Sequence, residues 1–203
     1  LDGLELEMKF AATDDLTLSA ALGLLDTEYD SGDCSVAFTG QQNGNCVLTG
    51  AGPTDVGGNP FPFASEVSLN FGADWTAIRT DSFELNLHAD ASYTGDFQYD
   101  SLGDYSGVPL IPLTVPVPNP IDGSLMTDVP LVGGLHTDGG GDFWLANARA
   151  TLDMDQYSIA FWVKNLTDEV NYPYAIATEY LFGNDYRVRN SPRTYGVEAT
   201  VRF

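Results

Sequence analysis

This sequence predicts an all-β fold: an antiparallel transmembrane β-barrel fragment of about seven long meander strands. Three observations lead there. Apolar and polar residues alternate with a period of two in one segment after another, the signature of a strand lying between unlike media. Each segment is about as long as the roughly 9–11 residues a tilted strand needs to cross a bilayer. The connections alternate between short turns and long loops. Long loops without structure of their own are uncommon in compact soluble domains, but they are expected on the outer side of an outer-membrane barrel. No apolar run approaches the roughly 18–20 residues of a transmembrane helix, so any crossing must be made by strands.

The first strand sets Leu4, Leu6, Met8 and Phe10 against Glu5, Glu7 and Lys9, and Thr13-Asp14-Asp15 makes a tight turn. Leu16, Leu18, Ala20, Leu22 and Leu24 continue the apolar face, with Thr17, Ser19, Ala21 and Gly23 opposite. From Asp30 to Pro60 the periodicity gives way to Gly, Asn, Pro and two cysteines, a long loop. Order returns with Phe63, then Val67, Leu69, Phe71, Ala73 and Trp75 against Ser68, Asn70, Gly72, Asp74 and Thr76. A short turn at Arg79-Thr80-Asp81-Ser82 leads to Phe83, Leu85, Leu87, Ala89, Ala91 and Tyr93, whose alternates are Glu84, Asn86, His88, Asp90, Ser92 and Thr94. A second long loop runs from about Gln98 to Gly141 and holds the Pro-rich Val108–Pro120 stretch, expected to stiffen the connection. Trp144, Ala146, Ala148, Ala150 and Leu152 form the next strand, and a turn at Asp153-Met154-Asp155-Gln156 precedes Tyr157, Ile159, Phe161 and Val163. A third loop, about Leu166 to Ser191, comes before the last strand, where Tyr195, Val197, Ala199, Val201 and Phe203 alternate with Thr194, Gly196, Glu198, Thr200 and Arg202.

With the short turns in the periplasm, the last strand ends there and the first begins outside. Seven is an odd number, and single-chain bacterial barrels have an even count. The expectation is therefore a piece of a barrel with at least one strand upstream of Leu1. The competing fold is a soluble antiparallel sandwich, disfavoured by the polarity of the second face and the alternating loop lengths.

Composition bounds function. The 203 residues are 43% hydrophobic and 18% charged, ordinary for a folded chain, but 8 Lys+Arg against 29 Asp+Glu give a net charge of −21. Such a charge repels nucleic acid, which is excluded as a partner, and favours cations or basic surfaces. Nucleophile elbows, phosphate-binding glycine loops, HExxH and paired-cysteine zinc motifs are all missing from the sequence. Nothing supports an enzyme, and no cofactor is expected.

Cys34 and Cys46 share one Gly/Asn/Gln-rich stretch. In an oxidising compartment they would close a short loop, contributing roughly 3 kcal/mol on the chain-entropy estimate. Free thiols or a metal pair are the alternatives, the latter disfavoured because His88 and His136 lie far off in sequence.

Near the end of the chain the sequence becomes specific. Phe143-Trp144-Leu145-Ala146-Asn147-Ala148-Arg149 resembles the strand that opens the last hairpins of TonB-dependent outer-membrane receptors. Ala160-Phe161-Trp162-Val163-Lys164-Asn165-Leu166-Thr167-Asp168 resembles their penultimate strand entering its loop. Pro192-Arg193-Thr194-Tyr195-Gly196-Val197, through Arg202-Phe203, resembles their final strand with its terminal aromatic. The three blocks stand in family order, and similar patterning extends upstream over the whole chain.

The resemblance implies a barrel of about 22 strands closed by an N-terminal plug, with residues 1–203 supplying its C-terminal portion and three outer loops. It implies a Gram-negative outer membrane, energy delivered through the TonB complex to an upstream part, and a scarce nutrient as cargo, first of all a ferric siderophore or other iron complex. It also implies that Tyr195 and Phe203 form the signal read by the barrel assembly machinery. A passive porin and a soluble β-rich binding module are the rival functions.

Other candidates follow from the residues themselves. Glu84, Asn86, His88 and Asp90 form a polar ladder that wets the lumen or contacts the plug, with Trp162 and Lys164 beside it; a metal-ligating His88 is the lesser reading. Trp75, Tyr93, Trp144 and Tyr157 suit interfacial aromatic girdles. Loop aromatics (Phe97, Tyr99, Tyr105, Tyr172, Tyr174, Tyr180 and Phe182) would stack on a planar or sugar ligand. Arg187 and Arg189 would attract an anionic chelate, while Arg193 belongs to the strand. Asp26, Glu28, Asp30, Asp33, Asp138 and Asp142 read as solvated loop acids, since their spacing fits no EF-hand.

Overall fold

A computed structural model describes residues 1–30, 57–99, 139–176 and 186–203, together with the backbone of four short strands in the intervening stretches. In chain order the strands are β1 (Asp2–Ala11), β2 (Leu16–Asp26), β3 (Cys34–Val36), β4 (Pro53–Asp55), β5 (Val67–Arg79), β6 (Glu84–Thr94), β7 (Val117–Pro118), β8 (Leu125–Met126), β9 (Phe143–Met154), β10 (Tyr157–Lys164), β11 (Tyr174–Ile176), β12 (Tyr186–Val188) and β13 (Thr194–Val201). Seven of them make one sheet in the order β1-β2-β5-β6-β9-β10-β13, every neighbour being the next long strand in sequence and antiparallel to it. This is the expected meander.

Register converts the period of two into two continuous surfaces. Leu22 pairs with Leu6 on one side and Leu69 on the other, and Leu69 in turn faces Tyr93, which faces Trp144. The alternates line up just as consistently: Asp74 with His88, then Arg149, Trp162 and Gly196. A one-residue slip anywhere would carry a strand's apolar set to the other face. β5 avoids such a conflict near its end with a register shift between Thr76 and Ile78. The extra residue returns Ile78 to the apolar face opposite Leu85 and Arg79 to the polar face opposite Glu84.

The apolar face has no second layer over it among the described residues. Leu6 is 62% exposed, Trp75 49% and Phe161 59%, values that a sandwich core would not tolerate. The sheet is also open, with β1 and β13 as unpaired edges.

Two expectations need adjustment. The stretches read as plain loops contain two-stranded ribbons, β3–β4, β7–β8 and β11–β12. The turn after β9 is tighter than four residues, because Asp153 and Met154 still pair with Ser158 and Tyr157. The buried hydrophobic cluster lies at the loop end of the sheet and consists of Phe97, Tyr99 and Ala175, with Phe143 packed against it.

Candidate functional site

The polar face is a ladder of bonds running between strands. At the short-turn end the Arg79 guanidinium bridges Asp15 (2.6 Å) and Glu84 (2.8 Å), joining two turns. One row up, Thr76 Oγ1 donates to Asn86 Oδ1 (2.8 Å), and Asn86 Nδ2 donates to Asp153 (3.3 Å). At mid-height His88 lies between two carboxylates, its Nδ1 2.7 Å from Asp74 and its Nε2 3.3 Å from Asp90. Asp90 also accepts from Asn147 Nδ2 at 2.7 Å, and Arg149 donates both terminal nitrogens to Glu198 at 3.2 Å. These groups are about half exposed, so solvent screens the pairs and each adds little to stability. Their service is to keep strands in register beneath a hydrated charged surface.

The predicted ladder of Glu84, Asn86, His88 and Asp90 is thus brought together on one face. Trp162 joins it, but lies flat: a Cβ at Gly196 would stand 2.5 Å from the indole, so only glycine on β13 leaves room for the ring. Lys164 holds its Nζ 5.9 Å from the indole centroid, a cation–π distance.

At the long-loop end, aromatic rings from all three loops converge. Phe63, at φ 58°, stacks on Tyr174 with centroids 5.8 Å apart and planes at 7°, and it also approaches Phe97 and Tyr99. Phe97 and Tyr99 meet edge to face at 5.5 Å. Backbone bonds tie the same loops, from Phe63 N to Gln98 O (2.8 Å) and from Phe97 N to Gly140 O (3.1 Å). The Tyr99 hydroxyl donates to the Tyr172 carbonyl. Burial pushes the Tyr99 phenol above its usual value, against a smaller opposing pull from the Arg187 cation, so it remains a donor.

Beside this knot the third loop is pinned by amides. Asn165 and Asp168 take left-handed backbone angles (φ 51° and 56°), positions where short polar side chains are favoured. Asn165 is buried, accepts from Glu169 N (2.8 Å), and donates to the carbonyls of Glu169 (2.9 Å) and Ser191 (3.1 Å). Asp168 accepts from Arg193 N at 2.9 Å, and Asn190 and Asn171 bond each other through side chain and backbone.

Of the loop residues predicted to meet a ligand, Tyr99 is buried inside the knot, whereas Tyr172 and Tyr174 are 40% and 42% exposed. Arg187 lies on the β11–β12 ribbon opposite Ala175, and Arg189 is exposed just beyond it. Tyr105, Tyr180 and Cys46 lie outside the described residues, and Cys34 is described by its β3 backbone alone. Tyr195 (80% exposed) stands on the open β13 edge, whereas Phe203, expected to close the last strand, lies two residues beyond its end at Val201. Phe63, expected to open the ordered segment before β5, instead lies in the loop at positive φ with its ring in the knot, and the amides Asn165, Asn171 and Asn190 escaped sequence reasoning as loop anchors. Asn165 and Asp168 carried a signal, since they sit in the quoted family block, whereas Phe63 carried only its place after Pro62.

No family model and no curated protein matches the chain. Solved structures do. The siderophore receptor PiuA from Acinetobacter baumannii matches 98% of the chain with a TM-score of 0.60 at 16% identity. The ferric yersiniabactin uptake receptor FyuA from Yersinia pestis matches 99% with a TM-score of 0.60 at 14% identity. The ferric enterobactin receptor PfeA from Pseudomonas aeruginosa, as a mutant, matches 98% with a TM-score of 0.52 at 18% identity. The shared fold is a stretch of β-barrel wall. The chain spans only 21%, 23% and 22% of those three proteins.

Proposed function

We propose that residues 1–203 are the C-terminal part of the barrel of a TonB-dependent outer-membrane receptor that takes up an iron complex, most simply a ferric siderophore. One observation supports this above the others. A single open sheet, apolar on one face and charged on the other, with its long connections all at one end, follows receptor barrels over nearly its whole length at TM-scores up to 0.60. The apolar face then meets hydrocarbon, and the polar ladder faces the lumen or a plug. The short turns lie in the periplasm and the three loops outside.

In this reading Glu84, Asn86, His88, Asp90, Trp162 and Lys164 form lumen wall. Tyr172, Tyr174, Arg187 and Arg189 offer aromatic and cationic contacts to the chelate, with Tyr105 and Tyr180 from the same loops and Tyr99 bracing them from beneath. Tyr195 and Phe203 serve as the assembly signal, and Cys34–Cys46 as a loop disulfide. Energy reaches the barrel from the TonB complex through a part of the protein beyond this segment.

Radioiron uptake from a panel of ferric chelates, measured with the gene intact or deleted and with TonB present or absent, tests the assignment. The expected result is one chelate whose uptake falls to background on either deletion. Uptake that needs the gene but not TonB would replace the receptor by a passive porin. Uptake of every chelate unchanged by deleting the gene would remove iron complexes as cargo.

A further inference from the structure

We propose that the polar face carries a binding subsite for a planar aromatic carboxylate, lying over β9 between β6 and β10; this rests on that face lining a watery lumen and not on the identity of the cargo. A hollow of about 410 Å³ stands there. Asn147 and Arg149 of β9 form its floor, with His88 and Asp90 of β6 on one side and Trp162 and Lys164 of β10 on the other. The two sides are two strand spacings apart, roughly 10 Å. That width admits one small ring and excludes a helix, which is about 10–12 Å across with its side chains.

The pairing of the surrounding charges sets the chemistry of the occupant. Asp90 accepts from Asn147 and lies 3.3 Å from His88, and Glu198 receives both terminal nitrogens of Arg149. The carboxylates are therefore already engaged. Lys164 is exposed and belongs to none of the ion pairs among the described residues; its ammonium lies 5.9 Å from the Trp162 indole centroid instead. Arg149 bonds only Thr151 and Glu198, so its guanidinium has N–H donors left for a further acceptor. The chain has only 8 Lys+Arg against 29 Asp+Glu, yet two of those cations line this hollow. The unpaired donors select an anion. The indole selects what the anion is attached to. Trp162 rests one face over Gly196, where a Cβ would come within 2.5 Å, and presents the other to the hollow. An aromatic ring packed on that face, centroids about 4.5–7 Å apart, gains an attraction that an alkyl group does not. A ring on Trp162 with its carboxylate at Lys164 satisfies both residues at once.

Fluorine relaxation of para-fluorobenzoate, added to the intact outer-membrane protein in lipid nanodiscs at neutral pH, reads binding directly. Two analogues separate the contributions: para-fluorobenzamide lacks the charge, and gem-difluorocyclohexane carboxylate lacks the aromatic ring. The benzoate should bind about fivefold more tightly than either, the factor expected of one screened ion pair or one ring contact. Lys164→Gln should bring benzoate and benzamide to parity, and Lys164→Arg should retain the preference. Lys9→Gln, the same loss of charge on β1, should leave it intact. Trp162→Phe should keep the preference for the aromatic acid, and Trp162→Leu should lose it. Each readout is a ratio of two ligands on one sample, so a partly misfolded variant still reports it. Equal binding of the three ligands to the unaltered protein, or a charge preference that survives Lys164→Gln, would overturn the subsite. Displacement of the benzoate by equimolar sulfate would overturn it too, by showing an anion site indifferent to the ring. Radioiron uptake that still needs the gene and TonB would then leave the receptor assignment standing. Selective benzoate binding without uptake of any chelate would keep the subsite and remove the cargo. A spin label at position 88 reached by oxygen and not by a water-soluble nickel chelate would remove the lumenal premise, and the subsite with it.

Discussion

Asn165 does at one position what several residues would otherwise have to share. Its left-handed backbone turns the chain out of β10, and its buried amide closes the base of the third loop through Glu169 and Ser191. Alanine would lose those bonds, leave the Glu169 N–H without its acceptor, and keep the steric cost of a Cβ at positive φ without the polar side chain that offsets it. Asn165→Ala should therefore lower the unfolding free energy by about 2–4 kcal/mol. Asn165→Gly, free of the backbone penalty, should cost about 1–2 kcal/mol less than alanine. Urea titration in lipid vesicles checks both; equal losses would mean that the backbone angle is immaterial there. Gly196 is a second such position, where the absence of a side chain on β13 lets the Trp162 indole lie along the wall.

The loops behave as elements because their bases are shared. Phe63 comes from the first loop, Phe97 and Tyr99 from the second, and Tyr172 and Tyr174 from the third, and each loop meets the other two through a ring contact or a hydrogen bond among these residues. Phe63→Ala removes three aromatic contacts, each worth about 0.5–1.5 kcal/mol. Backbone hydrogen exchange should then accelerate about tenfold or more at residues 97–99 and 172–175 as well as beside position 63. Acceleration confined to residues 61–65 would show that the loops are independent. The strands themselves were legible because a period of two needs only local sequence. Leu22 and Leu69 announce their faces without knowledge of their partners. The knot was not legible, since which of many loop aromatics meet depends on approaches across more than seventy residues, as between Tyr99 and Tyr172. The bulge after Thr76 was hidden for a related reason: a single extra residue shows only when Glu84 and Leu85 supply the register.

At the scale of the whole molecule, the wall is stabilised by its strand pairing and by what surrounds it. Few side chains are buried among the described residues, and large apolar residues such as Phe10, Phe71, Phe161 and Val197 lie open. Such a sheet is unfavourable in water and favourable at a boundary between hydrocarbon and an aqueous lumen. The sequence displayed that boundary through Glu84, His88 and Asp90 alternating with Leu85, Leu87 and Ala89. It could not display a ligand, because the exposed Tyr172, Tyr174 and Arg189 define only an aromatic and cationic character. Spin labels placed singly at residues 84–94 of β6, with the protein in vesicles, test the boundary most directly. Oxygen accessibility should peak at 85, 87, 89, 91 and 93, and that of a water-soluble nickel chelate at 84, 86, 88, 90, 92 and 94. Both reagents reaching both sets of positions equally, or oxygen favouring the even set, would contradict the account.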